Sequence, residues 1–212
     1  MLSRFSWRQR AMTSICFVGL HATVAWTQPL SPSAAVFPLV IARGESVRRA
    51  SCSLIARRDL PGFTLLYFAT AARLFEARSG DAPITSVTIA RSAGAITVSP
   101  DDVIVATGVA ADIGLLRAVV ASERAHPLTI SFDPPAAGAV FTIVPAHDSG
   151  RTSPDGGCMG AVAISAGRAF GVVTECAPGA TLVVSPYAAA RRFLDRHVRD
   201  MFTGSASAGA PR

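Results

Sequence analysis

From Ile84 onward, turn-forming residues punctuate the chain at roughly ten-residue intervals, and the runs between them are short and apolar. That rhythm is hard to reconcile with a helical domain, which needs an apolar stripe at three- and four-residue steps over ten residues or more. Ile84, Val87 and Ile89 lead to a turn at Ser92-Ala93-Gly94, Ala95 to Val98 lead to Ser99-Pro100-Asp101-Asp102, and Val103 to Ala106 follow. The second half repeats the style with Leu128 to Phe132, Ala139 to Val144, Met159 to Ile164, Ala169 to Thr174 and Thr181 to Val184. Upstream, Ser53 to Ala56 and Phe63 to Ala69 flank Arg57 to Gly62, which reads as strand, turn, strand. Ser165-Ala166-Gly167 marks a hairpin between Ile164 and Ala169. An all-β sandwich or barrel is the expectation.

With 212 residues, half of them hydrophobic, the chain can bury a substantial core. Residues 1–27 read as an export signal, with Arg4, Arg8 and Arg10 ahead of an apolar run from Ala11 to Trp26 and small residues after it. That run falls short of the ~20 residues a membrane span wants, and His21 interrupts it. A secreted or periplasmic domain with no membrane attachment after cleavage is expected. All basic residues are arginine, and losing the signal lowers the formal net charge from +6 to +3, too mild to argue for nucleic acid.

Residues 28–39 are rich in Pro, Ser and Ala and read as an extended lead-in, with the domain running from 40 to 202 and a disordered tail over 203–212. The last element departs from the strand rhythm. Ser185 is suited to cap a helix and Pro186 to open it, while Tyr187, Ala190, Leu194, Val198 and Met201 recur on one face. The opposite face, with Arg191, Arg192, Arg196 and Arg199, reads most simply as solvated surface.

Cys16 leaves with the signal, so Cys52, Cys158 and Cys176 remain. Three cysteines in an exported chain allow one disulfide, and spacing leaves the pair open. No spacing points to zinc or another metal, and no cofactor is indicated.

Three segments carry the chemistry: Thr70-Ala71-Ala72-Arg73-Leu74, Asp112-Ile113-Gly114-Leu115-Leu116 and Ser153-Pro154-Asp155-Gly156-Gly157-Cys158. In that order, ahead of a hairpin and a C-terminal helix, they resemble the base, acid and nucleophile segments of the trypsin/chymotrypsin family of serine peptidases. The resemblance covers roughly Ser51 to Val198 and implies two six-stranded Greek-key barrels packed together, followed by an α-helix. It also implies that Arg73 stands where the family has histidine, that Asp112 keeps the acid position, and that Asp155 stands where the family has serine.

An arginine, with a pKa above about 12, cannot take a proton near neutral pH, and a carboxylate has no hydroxyl to activate. Losing both groups removes on the order of a million-fold in rate. The family's oxyanion loop corresponds to Ser153, Asp155 and Gly156, and Ser153 precedes Pro154, which restricts its backbone. The expectation is a degenerate member in which Arg73 sits between Asp112 and Asp155, and which binds a protein or peptide in the cleft between barrels. Cys158 would pair with Cys52 or Cys176 around the same loop. The rival reading is an active endopeptidase using Ser149 or Ser153 with His126 or His147. Glu175, near the usual wall of the first substrate pocket, would favour a basic group.

Overall fold

The computed structural model describes residues 32–77, 79–106, 111–146, 158–175 and 182–202. A short 3₁₀ turn, Pro32–Ala35, leads into β1 (Val36–Arg43), β2 (Ser46–Leu60) and β3 (Phe63–Ala71). A second 3₁₀ turn, Ala72–Leu74, separates these from β4 (Ile84–Ile89) and β5 (Ile96–Val98). A third, Pro100–Asp102, precedes β6 (Val103–Val105) and β7 (Ile113–Val120). The second half holds β8 (Thr142–Val144), β9 (Val162–Ser165), β10 (Arg168–Glu175), β11 (Val183–Pro186) and α1 (Arg191–Phe202).

Every pairing between these named strands is antiparallel. The first sheet runs β5-β4-β1-β2-β3-β7-β6 and the second β11-β10-β9-β8. The larger sheet curls until β5 touches β7, which closes it around Leu39, Ile41, Phe68, Ile89 and Leu115, all fully buried. Closure lets one apolar face serve as a core. The architecture is all-β with a C-terminal helix, as the turn spacing predicts. Among the described residues it has seven and four strands where two sets of six were expected.

β2 is longer than its sequence suggests. Arg57 to Leu60, read as turn, continue the strand, and the reversal is confined to Pro61-Gly62, with Gly62 at φ 86°. Leu60 pairs with Phe63 directly, so register overrides the polar composition of Arg57-Arg58-Asp59. From Ala50 to Ala56 every residue of β2 is buried, on both faces of the pleat. Covering both faces of a strand requires a second layer, and the chain leading into β9 packs against β2, where Ser51 N donates to Met159 O at 2.8 Å; within the larger sheet, Thr70 Oγ1 of β3 donates to Ser51 O at 2.7 Å.

β1 begins at Val36, so the lead-in is shorter than residues 28–39, because Val36 to Leu39 pair with Ser53 to Ala50. Ser185 and Pro186 do not open the helix. They end β11, paired with Val172 and Gly171, and a turn through Tyr187 to Ala190 intervenes before Arg191. The apolar face survives this shift: Tyr187, Ala190, Leu194 and Val198 are all buried in the common core. The residues of the expected export signal and tail lie outside the described residues.

Candidate functional site

The turn that follows β3 places Arg73. Ala71 and Ala72 are small and buried, which lets the chain tighten into a 3₁₀ turn against β7, and Gly114 admits the Ala72 backbone closely enough that a Cβ there would meet it at 3.4 Å. Asp112, just before β7, accepts from Arg73 twice: its Oδ1 takes the backbone N–H at 2.9 Å and its Oδ2 takes Nε. The Arg73 Nη1 donates to Glu175 Oε1 at the end of β10, at 2.5 Å. One guanidinium therefore ties the turn after β3, the approach to β7 and the second sheet together.

The acid is itself oriented from below. Ser185 Oγ accepts the backbone N–H of Asp112 at 2.9 Å, and Gly171 brings β10 so close to β11 that a Cβ would lie 2.9 Å from Pro186 Cα. Glu175 and then Asp112 hold the Arg73 pKa above its already high value, with partial burial opposing them. Arg73 and Asp112 are partly exposed and Glu175 is more so, which makes this a solvent-accessible ion cluster and not a sealed one.

The structure thus brings together two of the three positions singled out in the sequence, Arg73 and Asp112. Asp155 lies outside the described residues, as do Ser153, Gly156, His147, Ser149 and Cys176. Sequence reasoning missed two members. Glu175, expected near the wall of a pocket for a basic group, has its basic partner within the chain. Ser185 was read as a helix cap, and it fixes the Asp112 backbone instead. No signal in a single sequence joins residues as far apart as 73 and 175; only the register of β10 does.

Of the two partners expected for Cys158, Cys52 or Cys176, the first is corrected. Cys52 is a free thiol with no exposed surface, its Sγ 3.6 Å from Phe37 O, and burial raises its pKa. It lies on β2, paired with Phe37 of β1, and its side chain is part of the common core. Cys158 is disulfide-bonded, with its partner outside the described residues. His126 stands in the loop between β7 and β8 beside Pro127, lining a pocket with Pro32 and Leu128, and belongs to neither the Arg73 cluster nor any described nucleophile. Among the described residues no group of His, Cys, Asp and Glu is placed to hold a metal ion.

Two antiparallel sheets, the larger curled, and a C-terminal helix make up the fold. The chain has the trypsin-like protease fold. No protein-family model matches it, and no curated protein sequence matches it. Solved structures do: the protease of tobacco vein mottling virus, at 12% identity and TM-score 0.54, covering 90% of this chain and 88% of that one. The serine endoprotease from Yersinia pestis matches at 15% identity and TM-score 0.52, over 80% of this chain and 64% of that chain. The HtrA-type protease AlgW matches at 11% identity and TM-score 0.50, over 80% and 62%.

Proposed function

We propose that the chain is an exported, trypsin-like protease homologue without peptidase activity, which binds a protein or peptide segment in the cleft between its two sheets. The observation that carries this reading is the Arg73 guanidinium on the Asp112 carboxylate. In a hydrolytic site that carboxylate would orient a neutral imidazole able to accept a proton. Here it holds a group that stays protonated throughout the working pH range. Asp155 at the nucleophile position supports the same conclusion from the sequence. The disulfide at Cys158 agrees with an oxidising compartment and therefore with the export signal read in residues 1–27.

A cleft that cannot turn over its ligand can still use its geometry, because the strand edges and pockets that align a peptide are separate from the groups that cut it. The test is incubation of the mature chain with a proteome-derived peptide mixture, followed by mass spectrometry of the retained and free fractions. The reading expects a retained set of intact peptides and no new termini. New termini appearing in proportion to protein concentration, and lost on mutation of one serine, contradict it.

A further inference from the structure

A second groove, of about 660 Å³, lies between β6 and the first turns of α1, and it shares no residue with the Arg73 cluster. Its floor is apolar, built from Ile104, Val105 and Phe193, and its rim carries Arg192, Arg196 and His197. Arg191, also on the rim, is already engaged: it stacks over the Phe132 ring at 5.4 Å and reaches Asp195 at 3.8 Å. Arg192 and Arg196 are exposed and have no ion-pair partner among the described residues. The groove is lined by Arg191, Arg192 and Arg196 and by no carboxylate, so its rim is a net positive field. His197, packed edge-on against Phe193 at 5.1 Å, reports that field: burial first, then Arg196 and Arg117, lower its pKa.

β6 is the terminal strand of its sheet, paired only with β7 among the described residues. A sheet edge beside unpaired cations suits an extended chain that can offer main-chain hydrogen bonds to one wall and carboxylates to the other. The apolar floor favours a peptide over a nucleic acid, whose backbone would leave Ile104, Val105 and Phe193 unused.

We infer that this groove docks an acidic peptide segment in which an apolar side chain is flanked by carboxylates. The apolar side chain seats on the floor, and Arg192 and Arg196 pair with the carboxylates. It is a site additional to the cleft, and it stands or falls independently of the reading proposed there.

The test uses the whole mature chain and a fluorescein-labelled peptide, Asp-Glu-Leu-Glu-Asp, read by polarisation at low salt. Binding is expected, weakened at least about tenfold by Arg192→Glu with Arg196→Glu and severalfold by glycine in place of the peptide leucine. Raised salt weakens it too. Both arginines are solvent-facing, so the variant keeps its fold, which an unchanged melting curve verifies. Arg73→Gln leaves binding unchanged, which separates this site from the cleft. No binding up to millimolar peptide, equal binding by the double variant, or equal competition by a six-nucleotide single-stranded DNA overturns the inference.

Discussion

Thr70 and Arg73 are three residues apart, yet the regions they anchor are built from opposite chemistry. Around Thr70 the contacts are neutral and largely buried: its hydroxyl donates to Ser51 O, Ser51 Oγ accepts from Ala146 N at 2.9 Å, and Gly160 closes against both strands. Around Arg73 the contacts are charged, partly wet and reach across to the second sheet. Buried neutral hydrogen bonds are expensive to break, and half-exposed ion pairs are nearly free to exchange. The frame of a protease fold can therefore persist while the side chains at its lip change identity.

That contrast breaks first at Gly160. Its φ is 79°, and a Cβ there would collide with the Ser51 carbonyl oxygen and the Thr70 hydroxyl. Gly160→Ala is expected to destabilise the fold by about 3 kcal/mol or more, measured by denaturant midpoint. If the loss is below about 1 kcal/mol, the junction is looser than described.

Alkaline titration sharpens the same side of the comparison. Tyr187 is fully buried, 3.4 Å from Ser53 Oγ, and burial pushes its pKa up to about 12. The folded phenol keeps its proton where the unfolded one, near pH 10, gives it up. Its contribution is thus complete below about pH 10 and is lost as pH climbs toward about 12, by up to about 1.4 kcal/mol per pH unit. Buried Cys52, also raised, adds to the fall. Tyr187→Phe should flatten this limb, followed by urea midpoints from pH 9 to 12, and an unaltered slope would assign it elsewhere.

Thr70→Val removes the donor to Ser51 O and is expected to cost about 1–2 kcal/mol. Arg73→Gln, by contrast, should change stability by less than about 1 kcal/mol, since its partners remain hydrated. Thermal melts of the two variants side by side test the contrast directly, and a larger effect at Arg73 would invert it. Smallest is the hairpin between β9 and β10, where Ala166 and Gly167 both have positive φ, 47° and 74°. Ala166→Asn should stabilise by about 0.5 kcal/mol, because asparagine tolerates that backbone better than alanine.

Much of the frame was readable in the chain. The β9–β10 hairpin and the closely spaced turns follow from local chemistry that needs no partner to be recognised, and the Arg73 and Asp112 segments stand out by their resemblance to a known family's motifs. What escaped depends on pairing. Arg57 to Leu60 look like a turn but lie in register with Phe63 to Leu66. Ser185-Pro186 look like a helix start, yet β10 captures them as a strand. Cys52 looks like a bridge candidate until β1 buries it. Glu175 joins Arg73 only because β10 ends beside the turn after β3, a fact of tertiary register with no trace in the composition of either segment.

The proposed reading is that the protonated guanidinium on Asp112 occupies the place a proton acceptor would need, so that no hydroxyl in the cleft is activated. Exposure of the mature chain to a fluorophosphonate probe, with mass mapping of every serine, tests it most directly. The account predicts no labelled serine above the level of the heat-denatured protein; stoichiometric labelling of one serine in the folded chain would contradict it.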